Sequence, residues 1–233
     1  MFALKAALRK SMLKALRQIS EQELKAQSDA VFRSLLQQDW YTSARSVGCY
    51  LSMAKGELQT DQIVQDLLKR GAKLYTPYLP PPPSAPAPSP SSSDPPISAT
   101  SEMRMLSLYS PADLEACPLD KWGILDPGET RRDTGEKRED AMDHSAPDLD
   151  LILIPGVAFD EHCNRLGRGK AFYDRYLANY TSTRKRPLFV ALGLSVQLLP
   201  AGEMVPITTD DFTLDGVITP DRTIWRRGTK EQA

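Results

Sequence analysis

Asp148 to Leu177 reads DLDLILIPGVAFDEHCNRLGRGKAFYDRYL, and the division of this stretch into elements decides the fold. Leu149 to Ile154 is apolar except at Asp150, carries β-branched residues and stops at Pro155-Gly156, which suits a central strand buried on both faces. A loop follows, crowded with Arg165, Gly167, Arg168, Gly169 and Lys170. Phe172, Tyr173, Tyr176 and Leu177 then fall at spacings of three and four, so a helix is expected to begin near Gly169. Strand, basic glycine-rich loop and helix succeed one another.

That succession has a chemical meaning. Glycines let the backbone approach a ligand, the first amides of a helix point outward unpaired, and three cations add charge, so a phosphate would fit. The loop is not a Walker A sequence, because Asn164 stands at its first glycine position and Ala171 at its Ser/Thr position. A glycine turn on a solvated basic surface is the other reading of the loop alone.

The 233 residues suffice for one α/β domain with surface insertions. With 29 Lys and Arg against 30 Asp and Glu, the net charge of −1 excludes a broad nucleic-acid surface, so any basic site is local. No apolar run reaches the roughly 18 residues of a membrane span, and the N-terminus lacks a secretory apolar core. Cys49, Cys117 and Cys163 show no pairing pattern, which points to a reducing, cytoplasmic setting. Lys5, Arg9, Lys10, Lys14 and Arg17 precede any acid, a composition that mitochondrial presequences share.

Outward from the central stretch, Leu8, Met12, Leu16 and Ile19 recur about once per turn and predict an amphipathic basic helix. Ser20 with Glu23 reads as a capping box for a second helix through about Leu36. Ser46–Ser52, Asp61–Arg70 (with Thr60 as N-cap) and Lys73–Tyr78 form a β-α-β unit, with Glu57 in the loop after its first strand. Residues 80–101 are rich in proline and serine and read as a disordered or polyproline insertion. Met103–Tyr109 alternates as a strand, 121–129 reads as a loop around Trp122, and the charged interval 130–147 reads as a poorly ordered loop. Leu188–Leu194 and Gly216–Thr219 complete the strands. His144 and His162 have no ligand neighbours at short spacing and are not read as metal ligands.

Leu51–Thr60 (LSMAKGELQT), Leu151–Leu177 and Val205–Pro220 (VPITTDDFTLDGVITP), with KAALR at Lys5 to Arg9, together resemble the 5-formyltetrahydrofolate cyclo-ligases. The resemblance implies a three-layer, open, mostly parallel α/β sheet with helices on both faces, of the sugar-isomerase and CoA-transferase-like type. It implies ATP and magnesium and 5-formyltetrahydrofolate as the substrate; a monomer is expected because no unusual apolar stripe demands a dimer. Carried onto this chain, Lys5, Arg9 and the loop Arg165, Leu166, Gly167, Arg168, Gly169, Lys170, Ala171, Phe172 and Tyr173 would contact ATP, with Lys170 and Arg168 catalytic. Leu51, Glu57, Arg168, Gly169, Lys170 and Phe172 would border the folate, and Asp174 and Asp211 would serve the metal, with Asp210 and Asp215 close to the second position. The family often reads GKGYYD where this chain has Gly169-Lys170-Ala171-Phe172-Tyr173-Asp174. Ala171 is tolerated if its backbone is helical and costly if its φ is positive. A phosphosugar isomerase, which needs no ATP, and a folate or nucleotide binder without activity are the alternatives.

Overall fold

Helices and strands alternate along most of the chain in a computed structural model that describes residues 1–80, 102–120 and 123–228. In order they are α1 (Phe2–Leu16), α2 (Glu21–Leu35), α3 (Asp39–Thr42), β1 (Ser46–Cys49), α4 (Asp61–Lys69), β2 (Lys73–Tyr78), β3 (Arg104–Leu108) and α5 (Pro111–Glu115). Then come β4 (Leu151–Ile154), β5 (Ala158–Phe159), β6 (Arg165–Leu166), α6 (Phe172–Thr183), β7 (Leu188–Leu192), a 3₁₀ turn (Ser195–Gln197), β8 (Gly216–Ile218) and β9 (Thr223–Trp225). The proline-rich insertion from residue 81 to 101 and the reading of Trp122 lie outside the described residues.

Seven strands form one sheet in the order β3-β2-β1-β4-β7-β8-β9. β2, β1, β4, β7 and β8 are mutually parallel, and the outer β3 and β9 are antiparallel to their neighbours. All four residues of β4 are buried, as a strand covered on both faces requires. Asp150, the polar interruption just before it, accepts the backbone amides of Arg45 (2.8 Å) and Ser46 (3.1 Å) and fixes the register of β4 beside β1.

From β1 the chain moves outward through α4 to β2, and from β4 it moves the other way through α6 to β7. Right-handed crossovers running in opposite directions put their helices on opposite faces. The packing agrees: Ile63, Val64, Leu67 and Leu68 of α4 join one core with Leu24, Val31 and Leu35 of α2, while Tyr176, Leu177 and Tyr180 of α6 join a second core on the other face. The three-layer α/β expectation is met. A third cluster of Met12, Val157, Ala158, Leu166, Leu199 and Val205, with Leu8 and Leu13 against it, fastens the apolar stripe of α1 to the β5–β6 ribbon.

Several local readings change. Ser20 caps α2 by accepting the Glu23 amide, but the Glu23 carboxylate receives the Gln27 side chain, so half of the expected box is made. Thr60 stands at the N-cap of α4, yet its hydroxyl donates to the Tyr50 carbonyl at 2.8 Å and ties the Glu57 loop instead of the helix.

The interval 130–147, read as poorly ordered from its charge, is built into the sheet rim. Arg138, wholly buried, gives two 2.6 Å hydrogen bonds to Asp113 and reaches the carbonyls of Ser107 and Pro127 at 2.9 Å each. The following residues pair with the free side of β3, through Ser107 N to Glu139 O and Ala141 N to Met105 O, both 2.9 Å. Composition marked these charges as solvated, whereas one of them is neutralised by an acid 25 positions away.

Candidate functional site

The sheet order reverses direction between β1 and β4, and in open α/β sheets ligands bind beyond the carboxyl ends of strands at such a point. The loops that leave those two ends carry Leu51 and Glu57 on one side and the basic stretch on the other.

Glu57 is held inward. Its loop is pinned by Thr60, by the Tyr50 hydroxyl donating to Leu58 O (3.2 Å) and by Gln59 N donating to the Ser28 hydroxyl (3.0 Å). The residue is 7% exposed and its carboxylate accepts the Met53 amide at 3.1 Å. Burial raises its pKa above the ordinary value, opposed by that amide and by Arg168, whose guanidinium lies 3.8 Å away. The Arg168–Glu57 distance exceeds a hydrogen bond, so a ligand can take either partner without first breaking one.

On the other side, the turn that leads into the basic loop is organised by Asp160, which sequence reasoning passed over. This buried carboxylate accepts the amides of His162 (2.9 Å), Asn164 (3.0 Å) and Val205 (2.9 Å) and the Asn164 side chain (2.9 Å). Its signal was present as the F-D-x-x-x-N spacing at Phe159, Asp160 and Asn164. Gln197 adds a second brace, donating to Gly156 O at 2.7 Å from the 3₁₀ turn. The basic loop therefore starts from a two-strand ribbon, which the sequence reading treated as loop because two-residue strands show no periodicity.

Arg165 of β6 works inside this frame. Its Nη2 donates to both oxygens of Asp174 at 3.0 and 2.9 Å and its Nη1 reaches Pro155 O at 3.3 Å, joining the ribbon to the first turn of α6 and the end of β4. At 4% side-chain exposure it is a brace more than a surface cation. Leu166 is buried against α1. From α1, Arg9 donates through Nε to Gly167 O at 2.8 Å. Its guanidinium lies against Gly169, where φ is +93° and a Cβ would stand 3.3 Å from Arg9 Cζ, so a side chain there would meet both strain and the arginine.

Lys5, one turn earlier on α1, pairs with Asp211, which also accepts the Thr208 amide and hydroxyl. Burial alone would raise the Asp211 pKa; the Lys5 and Thr208 hydrogen bonds and the Lys5 charge outweigh it and hold the carboxyl below the usual range. Phe212 N donates to Asp174 Oδ1 at 3.3 Å, which brings the two acids expected at the metal into one neighbourhood. Among the described residues no group of three His, Cys, Asp or Glu forms a metal cage.

Lys170 is exposed, with no acidic partner within 4 Å among the described residues. The helix starts three residues later than expected, at Phe172, because Ala171 adopts φ 52°, ψ 24°. The positive φ that the sequence reading identified as costly is therefore the one that occurs. Replacing Ala171 by glycine is expected to raise the unfolding free energy by up to about 1 kcal/mol, read from urea denaturation. An equal or lower stability in the variant would show that this backbone geometry carries no strain.

Four cations, Lys5, Arg9, Arg165 and Arg168, thus lie among three carboxylates, Glu57, Asp174 and Asp211, and the exposed Lys170 follows two residues after Arg168, leaving positive charge for an anionic ligand. A cavity of about 830 Å³ opens at the other edge of the sheet, lined among others by Trp40, Arg186 and Asp215. Its Asp215 is already paired with Arg186 and Arg226, so the chemistry favours the carboxyl edge despite that volume.

Sheet order, reversal point and cation excess define the class: an open α/β protein with a cluster of cations at the carboxyl edge of its sheet. Residues 2–220 match the 5-formyltetrahydrofolate cyclo-ligase family. A mitochondrial 5-formyltetrahydrofolate cyclo-ligase of Arabidopsis thaliana is 30% identical over 94% of this chain and 75% of its own length. The enzyme of that name from Mus musculus is 29% identical over 93% and 94%. In structure, the chain superposes on 5,10-methenyltetrahydrofolate synthetase of Aquifex aeolicus with TM-score 0.68 at 27% identity, covering 97% of this chain and 95% of the other. The chain belongs to the 5-formyltetrahydrofolate cyclo-ligase family, a family of ligases. Among the described residues no helix is long and apolar enough to cross a membrane.

Proposed function

We propose that this chain converts 5-formyltetrahydrofolate to 5,10-methenyltetrahydrofolate, using ATP and releasing ADP and phosphate, in the cytoplasm and as a monomer. The observation that supports this most is the docking of α1 on the basic loop: Arg9 bonds Gly167 and Lys5 bonds Asp211, so cations distant in sequence meet the loop whose Arg168 lies beside the buried Glu57.

The chemistry needs such a site. A formyl amide has a weakly nucleophilic oxygen and a poorly electrophilic carbon. Transfer of the γ-phosphoryl group to the formyl oxygen, with ADP leaving, makes that oxygen a leaving group; the neighbouring folate nitrogen then bonds to the carbon and loses its proton to solvent, and phosphate departs with the former formyl oxygen. Phosphoryl transfer of this kind calls for in-line positioning and charge neutralisation, not a protein nucleophile. Lys170 and Arg168 offset charge on the transferred group, Lys5 and Arg9 hold the rest of the triphosphate, and the backbone of Gly167 and Gly169 lets it approach closely. Glu57 accepts N–H groups of the pterin with Leu51 beside it, and the Phe172 ring lines the folate side.

Asp174 and Asp211 fit a magnesium ion as hard oxygen donors held near each other through Phe212, since this metal takes one or two carboxylates and fills its remaining positions with phosphate and water. When bound, it would neutralise phosphate charge. Arg165 and Lys5 hold the two carboxylates in orientation.

Absorbance of methenyltetrahydrofolate, followed with and without ATP and magnesium and alongside ADP release, tests the proposal; product formed without ATP, or none at all, overturns it. Replacing Arg9 by alanine is expected to raise the KM for ATP by roughly tenfold or more, as for a lost charged hydrogen bond, with a smaller change for the folate. A folate effect alone would move Arg9 out of the nucleotide site. Deleting residues 1–12 should abolish ATP binding, whereas retained activity would mark them as a leader.

A further inference from the structure

Asp160 is wholly buried, and both oxygens of its carboxylate are filled by uncharged donors. Oδ1 accepts the His162 and Asn164 amides at 2.9 and 3.0 Å and so closes the turn between β5 and β6, in which Cys163 stands at φ 61°. Oδ2 accepts the Asn164 side chain and, from a segment 45 positions away, the Val205 amide, both at 2.9 Å. One carboxylate therefore ties the ribbon that leads into the basic loop to the segment that runs on to Asp211.

What rests on this tie is α1. Its seat is assembled from both pieces: Val157, Ala158 and Leu166 come from the ribbon and its approach, Leu199 and Val205 from the later segment, and Leu8, Met12 and Leu13 of α1 pack on them together. Leu199 is joined to the ribbon through the backbone, its amide donating to Phe159 O at 2.9 Å, whereas Val205 is held through the Asp160 side chain. From that seat Arg9 reaches Gly167, and Lys5 reaches Asp211 further along the segment that Val205 begins. The Glu57 loop is pinned elsewhere, through Tyr50, Thr60 and Ser28.

We infer that Asp160 is a positioning residue for the triphosphate side of the site: by joining the two halves of the α1 seat it sets where Lys5 and Arg9 stand relative to the basic loop, without touching a ligand itself. The inference rests on the proposed function for the ligand and on these hydrogen bonds for the geometry. A carboxylate is required at 160 because all four partners are donors. In an asparagine the amide nitrogen has to face one pair of them. A flip of the Asn164 amide accommodates one member of the Oδ2 pair, and the Val205 N–H is left opposite a donor.

Replacing Asp160 by asparagine in the full chain tests this, because it keeps the shape and removes the tie. The KM for ATP should rise roughly tenfold, with the KM for 5-formyltetrahydrofolate staying within about twofold of the original. Without turnover, the rise in melting temperature given by ATP with magnesium should shrink, while that given by 5-formyltetrahydrofolate alone is kept. Trypsin should cut α1 at Arg9, Lys10 and Lys14 roughly tenfold faster relative to Lys25 and Arg33 of α2, a ratio that a general loss of stability leaves unchanged. Equal losses for both ligands, an ATP KM within about twofold of the original, or no preferential cleavage of α1 would each overturn the inference. If the asparagine variant does not fold, Asn164→Ala, which takes one donor from the same oxygen, should show the same pattern at about two- to fivefold and is judged in the same way. If the unaltered protein forms no methenyltetrahydrofolate, the proposed function fails, and the cleavage ratio still decides whether Asp160 seats α1.

Discussion

Replacing Lys170 by alanine is expected to lower turnover by about two to three orders of magnitude while leaving the unfolding transition where it was. Under the proposed function the size follows from removing one charge at a reacting phosphoryl group, where such groups each contribute on that scale. The unchanged stability follows from the structure: the side chain is exposed, and among the described residues it has no acidic partner, so its loss breaks no packing and leaves no buried charge. Stopped-flow or steady-state formation of methenyltetrahydrofolate, with melting curves of both proteins, reads both halves. Turnover within a factor of two of the original would remove Lys170 from the reaction.

The largest loss of stability is expected at the opposite end of the sheet. Replacing Arg138 by alanine should cost about 3–5 kcal/mol, because it strands the fully buried Asp113 carboxylate without its counter-charge and leaves the Ser107 and Pro127 carbonyls short of donors. Urea denaturation gives the value, and proteolysis within 130–147 should quicken in step. A loss below about 1 kcal/mol would mean that the pair is solvated, as surface pairs of that small value are. Replacing both partners together by apolar residues of similar volume should recover much of the loss, since what destabilises is the unpaired charge.

These two positions show what a sequence discloses and what it withholds. The run around β4, the β-α-β unit and the amphipathic α1 follow periodicities of two and 3.6, which local sequence carries in full. So does the proximity of glycines and cations between Gly167 and Lys170, because they are consecutive. The positive φ of Ala171 could be posed as a question from the comparison with a glycine, but only the chain path answers it, and the answer moved the start of α6 to Phe172. The internal role of Arg165 was hidden because nothing in its own neighbourhood separates a brace from a free cation; the difference is made by Asp174, nine positions away. The order of 130–147 was hidden for the same reason at longer range, and β9 and the β5–β6 ribbon are too short to show any pattern. In each case a charge was read by its type when its partner set its role.

The segment that Arg138 anchors also closes off the outer side of β3, whose amides and carbonyls at Met105 and Ser107 would otherwise face outward unpaired. A bare strand rim is a template on which another chain can add itself. By occupying that rim with its own backbone, the protein blocks edge-to-edge polymerisation there, so the ion pair beneath serves solubility as well as stability.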